Sequence, residues 1–163
     1  MNSSASTRER ILTAAEHLFA QQGFDGASLR QLTSNAGVNL AAVNYHFGSK
    51  DRLVEEVLKR RLDGLNAHRL SALAKVADRP ETTLEDVLDA FIRPALALSS
   101  DGGQLFMRVL ARAFAEHDGS LRRFLSENYG HAMRQFTAEF ARLLPHLSKE
   151  ELYWRIDVVT GAL

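Results

Sequence analysis

Between Ser28 and Lys50 the chain carries the side chains with the clearest chemical use. Asn44 has a carboxamide that can pair with the edge of an adenine. Leu40, Ala41 and Ala42 offer no side-chain hydrogen bonds, but they can lie against thymine methyl groups and let a helix approach the bases closely. Around them stand groups suited to phosphate oxygens: Ser28, Arg30, Tyr45, His46, Ser49 and Lys50. The first set can discriminate one sequence from another, whereas the second can only position.

Such residues work only if a short helix is presented at a sharp angle to its support, and the surrounding sequence supplies that angle. Ser28 with Gln31 forms a capping box for a two-turn helix burying Leu29, Leu32 and Ala36. Gly37 ends it in a left-handed conformation, Ala36 permits close helix approach and Val38 fills the corner, so the stretch reads as a helix-turn-helix. Asn39 caps the next helix, from Leu40 to about Tyr45, and Gly48-Ser49 separates it from a helix starting at Lys50. Ahead of the pair, Ser6 and Glu9 open a first helix with an apolar face of Ile11, Ala14, Ala15, Leu18 and Phe19. It is expected to stop at Gly23, which lets Phe24 meet Phe19.

This combination resembles the DNA-binding domain of the TetR family of transcriptional regulators. The residues carrying the resemblance are Phe19 to Phe24, Ser28, Ala36-Gly37-Val38, Tyr45-His46-Phe47 and Ser49-Lys50. It implies phosphate contacts by Ser28, Tyr45, His46 and Lys50, and base-facing positions at Leu40, Ala41 and Asn44. Asn39, Ala42 and Asn44 depart from the family's commonest residues, a difference that bears on which operator is read. The run from Gly37 to Lys50 is similar to the fatty-acid-responsive repressors of the family, which suggests an acyl effector. Members of the family usually continue through a ninth helix, and their last two helices form a homodimer interface. Two alternatives stand: a chain ending naturally at Leu163, or one truncated at its C-terminus with part of that interface missing.

The rest of the chain repeats its apolar residues every three or four positions, so the whole is expected to be all-α. A long helix from Lys50 persists to Asp78-Arg79-Pro80, about 40 Å at the usual rise. A fifth starts at Thr82 or Thr83 and holds Pro94, which predicts a kink or break near Arg93. A sixth follows Asp101-Gly102-Gly103 and stops near Asp118-Gly119. A seventh runs from Ser120 to Leu144, burying Leu121, Phe124, Leu125, Met133, Phe136 and Phe140. An eighth, boxed by Ser148 and Glu151, runs to Leu163. The resulting division is a helix-turn-helix DNA-binding domain at 1–48 and a helical effector-binding and dimerisation domain at 49–163. If Pro94 and Gly102-Gly103 hold helices apart, an apolar effector pocket is expected from Phe91, Arg93, Phe106, Arg108, Phe114, Tyr129, Phe136 and Phe140, while close packing would make the same aromatics core.

Composition narrows the remaining classes. With 163 residues, 45% hydrophobic and 25% charged, the chain is an ordinary globular one of one or two cores. It has no cysteine, hence no disulfide or thiolate chemistry, and none of the sequence motifs of nucleophile elbows, dinucleotide loops or metalloproteases, so no enzyme is expected. No two of its six histidines are four apart, and neither metal nor cofactor is expected. The start Met1-Asn2-Ser3-Ser4-Ala5-Ser6 lacks a signal peptide's apolar stretch and no run reaches the roughly 18–20 apolar residues of a membrane span, which together indicate the cytoplasm. Twenty Lys and Arg balance twenty Asp and Glu, but residues 1–61 hold eight basic against six acidic groups, a local excess of two. The expectation is a ligand-responsive repressor binding double-stranded, near-palindromic DNA as a homodimer, released by a small apolar or amphipathic molecule. The alternative is a helical dimeric adaptor or antagonist that never touches DNA.

Overall fold

The computed structural model describes residues 6–98, 103–115 and 119–161. They form eight helices, without a strand among them: α1 Thr7–Gly26, α2 Leu29–Ala36, α3 Leu40–Phe47, α4 Lys50–Ala77, α5 Leu84–Leu98, α6 Gln104–Ala115, α7 Gly119–Leu143 and α8 Lys149–Gly161. Met1 to Ala5, Asp101-Gly102, Asp118 and Leu163 lie outside the described residues, and with them the expected boundaries they were to mark. Two compact units result, one of Met1–Arg61 with Leu105–Asp118, the other of Leu62–Gln104 with Gly119–Leu163. The 28-residue α4 contributes to both and is about 42 Å long.

In the first unit α1 packs on α2 and α3. Its buried face holds Ile11, Leu12, Leu18 and Phe19, with Leu32 of α2, Val43 and Phe47 of α3, and Leu53 and Val57 of α4. Each fully buried leucine or phenylalanine side chain contributes about 1.5–3 kcal/mol relative to exposure, so this small unit depends on few residues. Leu29, expected to be buried, is only half covered, since the two-turn α2 turns Leu32 and Ala36 inward. The Ser6 hydroxyl accepts from the Glu9 amide at 3.2 Å, while the Glu9 carboxylate turns to Arg8 (3.8 Å) and Arg60 (3.2 Å). Gly23 leaves helical geometry (φ 77°, ψ 175°), yet one further turn follows to Gly26, so α1 bends where it was expected to stop. The bend puts Phe24 edge-on to Phe19, 5.4 Å between ring centres. From α6, Phe106 and Val109 are buried in this unit, and Arg112 donates to the Gln21 carbonyl at 3.3 Å.

In the second unit α7 packs against α5 and α8. Its core joins Leu73 of α4, Val87, Ala90 and Phe91 of α5, Phe136 and Phe140 of α7, and Leu152 and Ile156 of α8. Phe124 and Met133 are half-buried rather than enclosed as expected. Of the kink or break expected near Arg93, a break does not occur: α5 runs through Pro94 to Leu98, with Phe91 and Ala95 buried on either side. A proline removes one helical hydrogen bond, and packing along the buried face holds the helix across the gap. One turn before Pro94, the Phe91 carbonyl accepts a 2.9 Å bond from Nε of Arg69 on α4. That arginine is 9% exposed, lies 3.9 Å from the centre of the Phe91 ring, and is pulled down by burial to a pKa of about 10.

Candidate nucleic-acid interface

The turn between α2 and α3 has the geometry its residues imply. Ser28 and Gln31 close a reciprocal capping box, the Gln31 amide donating to Ser28 Oγ and the Ser28 amide to Gln31 Oε1, both at 3.2 Å. Gly37 is left-handed (φ 62°, ψ 41°), its amide donating to Ser34 and that of Val38 to Thr33, which ends α2 in a Schellman motif. Asn39 Oδ1 then accepts from the Ala42 amide at 2.8 Å and starts α3. The third helix runs two residues past the expected end, to Phe47, because Phe47 is itself buried.

Periodicity divides α3 cleanly. Val43 and Phe47, four residues apart, enter the core. Leu40, Ala41, Asn44, Tyr45 and His46 are exposed, Leu40 at 49% and Tyr45 at 86%, and Ala42 is half-buried. An exposed leucine and alanine pair on an outward face, beside an exposed carboxamide, has no core to join and suits the floor of a major groove. Tyr45 stacks edge-on against His46, 5.2 Å apart, so the two rings form one projecting edge.

Past α3, the Gly48 backbone (φ 76°, ψ −50°) makes a γ-turn closed by the Ser49 amide donating to the Phe47 carbonyl at 2.9 Å. Ser49 Oγ accepts from the Arg52 amide and caps α4, and Lys50 Nζ lies 3.5 Å from the Asp25 carbonyl. Ser28, Arg30 and Ser49 are exposed and Lys50 half-buried, beside the first turns of α2 and α4. All eleven residues expected to meet DNA thus belong to one unit, and its exposed α3 face carries the base-reading subset.

Several residues that hold this face were not evident in the sequence. Arg10 donates to the Gly37 carbonyl at 3.1 Å; Arg8 pairs with Glu56 and lies 5.5 Å from the centre of the Phe47 ring. Arg60 and Arg61 fold onto the buried Glu16 at 3.7 and 3.6 Å, and Arg60 also donates to Thr13 Oγ1 at 3.2 Å.

The expected effector residues are divided between the two units. Phe91, Phe136 and Phe140 share the second unit's core, with Phe91 and Phe136 ring centres 5.1 Å apart. Tyr129 of the same unit donates to Asp63 at 2.8 Å. Arg93 is exposed and paired with Asp89 at 2.7 Å, so it sits on the outside of α5. Phe106, Arg108 and Phe114 belong to the first unit, where Phe106 is buried, Arg108 exposed and Phe114 56% exposed.

The fold and this face define an all-helical helix-turn-helix protein. Two family profiles match the chain: "Bacterial regulatory proteins, tetR family" over residues 11–57 and "Tetracyclin repressor-like, C-terminal domain" over residues 89–163. The HTH-type transcriptional repressor NicS of Pseudomonas putida is 35% identical over 86 residues, 53% of this chain and 40% of that protein. The probable HTH-type transcriptional regulator YttP of Bacillus subtilis is 31% identical over 83 residues, 51% and 39% of the two chains. The match thus spans about two fifths of these relatives' length. Among solved structures, the TetR family regulator PfmR of Thermus thermophilus is similar with a TM-score of 0.64 and 26% identity, over 88% of this chain and 74% of its own. A TetR-like regulator from Rhodococcus sp. RHA1, at 20% identity, shares the fold with a TM-score of 0.64 over 99% of this chain and 82% of its own. The chain belongs to the TetR family of bacterial regulatory proteins.

Proposed function

We propose that the protein is a ligand-responsive transcriptional regulator, a repressor that binds double-stranded DNA as a homodimer. The observation that carries this reading is the outward face of α3, where Leu40, Ala41 and Asn44 are exposed over the buried Val43 and Phe47. Residues 1–48 read DNA, with Ser28, Arg30, Tyr45, His46, Ser49 and Lys50 on phosphates, and Asn39 and Ala42 setting the start of α3 against the bases. Residues 49–163 take up the effector, a small apolar or amphipathic molecule for which an acyl compound is one candidate, and dimerise. The name of NicS as a repressor supports the sign of regulation. The exposed Tyr153, Trp154 and Val158 on α8 supply an apolar face for a second copy. No helix of the described residues is long and apolar enough to cross a membrane, which agrees with action in the cytoplasm.

Two α3 helices on a two-fold dimer enter successive major grooves about 34–36 Å apart, so the operator is near-palindromic. Effector binding acts through α4, a single unbroken helix with residues in both units, and shifts operator affinity by its difference in affinity for two arrangements, about 1–3 kcal/mol. Selection of bound fragments from random double-stranded DNA tests the reading. The expected result is an enriched sequence with two-fold symmetry, and its loss on Leu40→Glu. No enrichment from the native protein would favour the adaptor alternative.

A further inference from the structure

Among the described residues of the second unit, Arg69 is a buried cation with no carboxylate paired to it. Its surroundings are apolar: Leu73 one turn on along α4, Phe91 against its plane, and Phe136 beyond, 5.1 Å from Phe91. Burial of a charge in such surroundings is costly unless something compensates it, and the lowered pKa of about 10 reflects that cost. Only the Nε edge is used, by the Phe91 carbonyl. This bond and the ring fix the guanidinium plane while keeping the two Nη groups, the fork that suits a carboxylate or phosphate, out of that contact. Half-buried Met133 packs on the same cluster, and its unbranched side chain can re-pack around a guest.

We propose that Arg69 anchors the anionic head, carboxylate or phosphate, of a small molecule whose apolar body packs against Phe91 and Phe136 within the second unit. This rests on the reading of residues 49–163 as the effector-binding part and adds to it the chemical class of the effector. The anion supplies the counter-charge that no carboxylate among the described residues gives Arg69, so affinity depends on head-group charge more than on chain length.

Calorimetric titration of the full chain with decanoate, decyl phosphate and 1-decanol tests this. The expected result is at least tenfold tighter binding of one or both anions than of the alcohol, the preferred anion identifying the head group. Arg69→Gln should bring the anions to the alcohol's level, and Arg69→Lys, which keeps the charge, should retain part of the preference. Equal binding of decanol and both anions, no binding of any of the three, or an anion preference that survives Arg69→Gln overturns the proposal. If Arg69→Gln fails to fold, the Arg69 Nε–H resonance of the native protein gives the answer: it should shift with an anion and not with decanol, and an unmoved resonance counts against the site. DNA binding measured in parallel separates the two readings, because loss of anion preference leaves the exposed α3 face unaltered.

Discussion

Nη2 of Arg10 lies 3.1 Å from the Gly37 carbonyl oxygen, so α1 grips the turn of the helix-turn-helix through a charged donor. The grip falls on the residue whose left-handed backbone sets the angle between α2 and α3. Stability of this turn and presentation of the reading face are therefore one property.

Gly37→Ala should destabilise the protein by about 1–2 kcal/mol, the cost of left-handed backbone for a residue with a Cβ. An added Cβ meets nothing within 4 Å, so the loss is conformational and Gly37→Asn should be milder. Arg10→Ala should cost about 1 kcal/mol through the exposed hydrogen bond. Urea denaturation measures all three; an unchanged midpoint for Gly37→Ala contradicts the account.

Lys50→Ala should weaken binding to every DNA sequence and reduce the salt dependence, whereas Asn44→Ala should change the preferred base at one position by about 1–3 kcal/mol. Binding isotherms on operator variants at several salt concentrations separate these effects. Equal effects of both substitutions on all sequences would contradict the division into reading and positioning groups.

Acid should loosen the start of α5. Thr83 donates to Asp86 Oδ2 from its hydroxyl at 2.7 Å and its amide at 3.0 Å, and these bonds, the hydroxyl's first, hold the Asp86 carboxyl below its ordinary value. The native state then binds fewer protons than the unfolded one, so the contribution is complete above the unfolded value of about 3.9 and is lost as pH falls through the lower native value. Asp86→Asn should flatten the acid limb of a Tm-against-pH curve; an unchanged limb would remove Asp86 from the cause.

On α8, Trp154 is 67% exposed, with Tyr153 and Val158 nearby on the helix surface. If this face meets a second copy, sedimentation should show a concentration-dependent dimer that Trp154→Glu shifts toward monomer. A native protein that sediments as a monomer at all concentrations would exclude that use of the face.

Local devices were legible in the sequence because they join residues three or four apart. Ser28 with Gln31, Asn39 with Ala42 and Ser148 with Glu151 are read directly from their types, as is the left-handed Gly37. Contacts between distant parts of the chain were not. Arg10 and Gly37 are 27 residues apart, Arg112 and Gln21 91, and no local pattern marks such partners. The continuity of α5 past Pro94 was illegible for a related reason: the local effect of proline is to kink or break a helix, while the burial of Phe91 and Ala95 that holds it together depends on α7. Arg69 was invisible as well, since an arginine within α4 looks like any solvated cation until the packing of α5 encloses it.

Gly48 and Ser49 are all that separates α3 from α4, and Gly48 is spent on a γ-turn closed by its own neighbours. A joint this short has no slack. Any rotation of the first turn of α4 is handed to α3 almost undiminished, so the aim of the reading helix is set at the root of the long one, and a looser linker there would leave a protein that folds but points nowhere in particular.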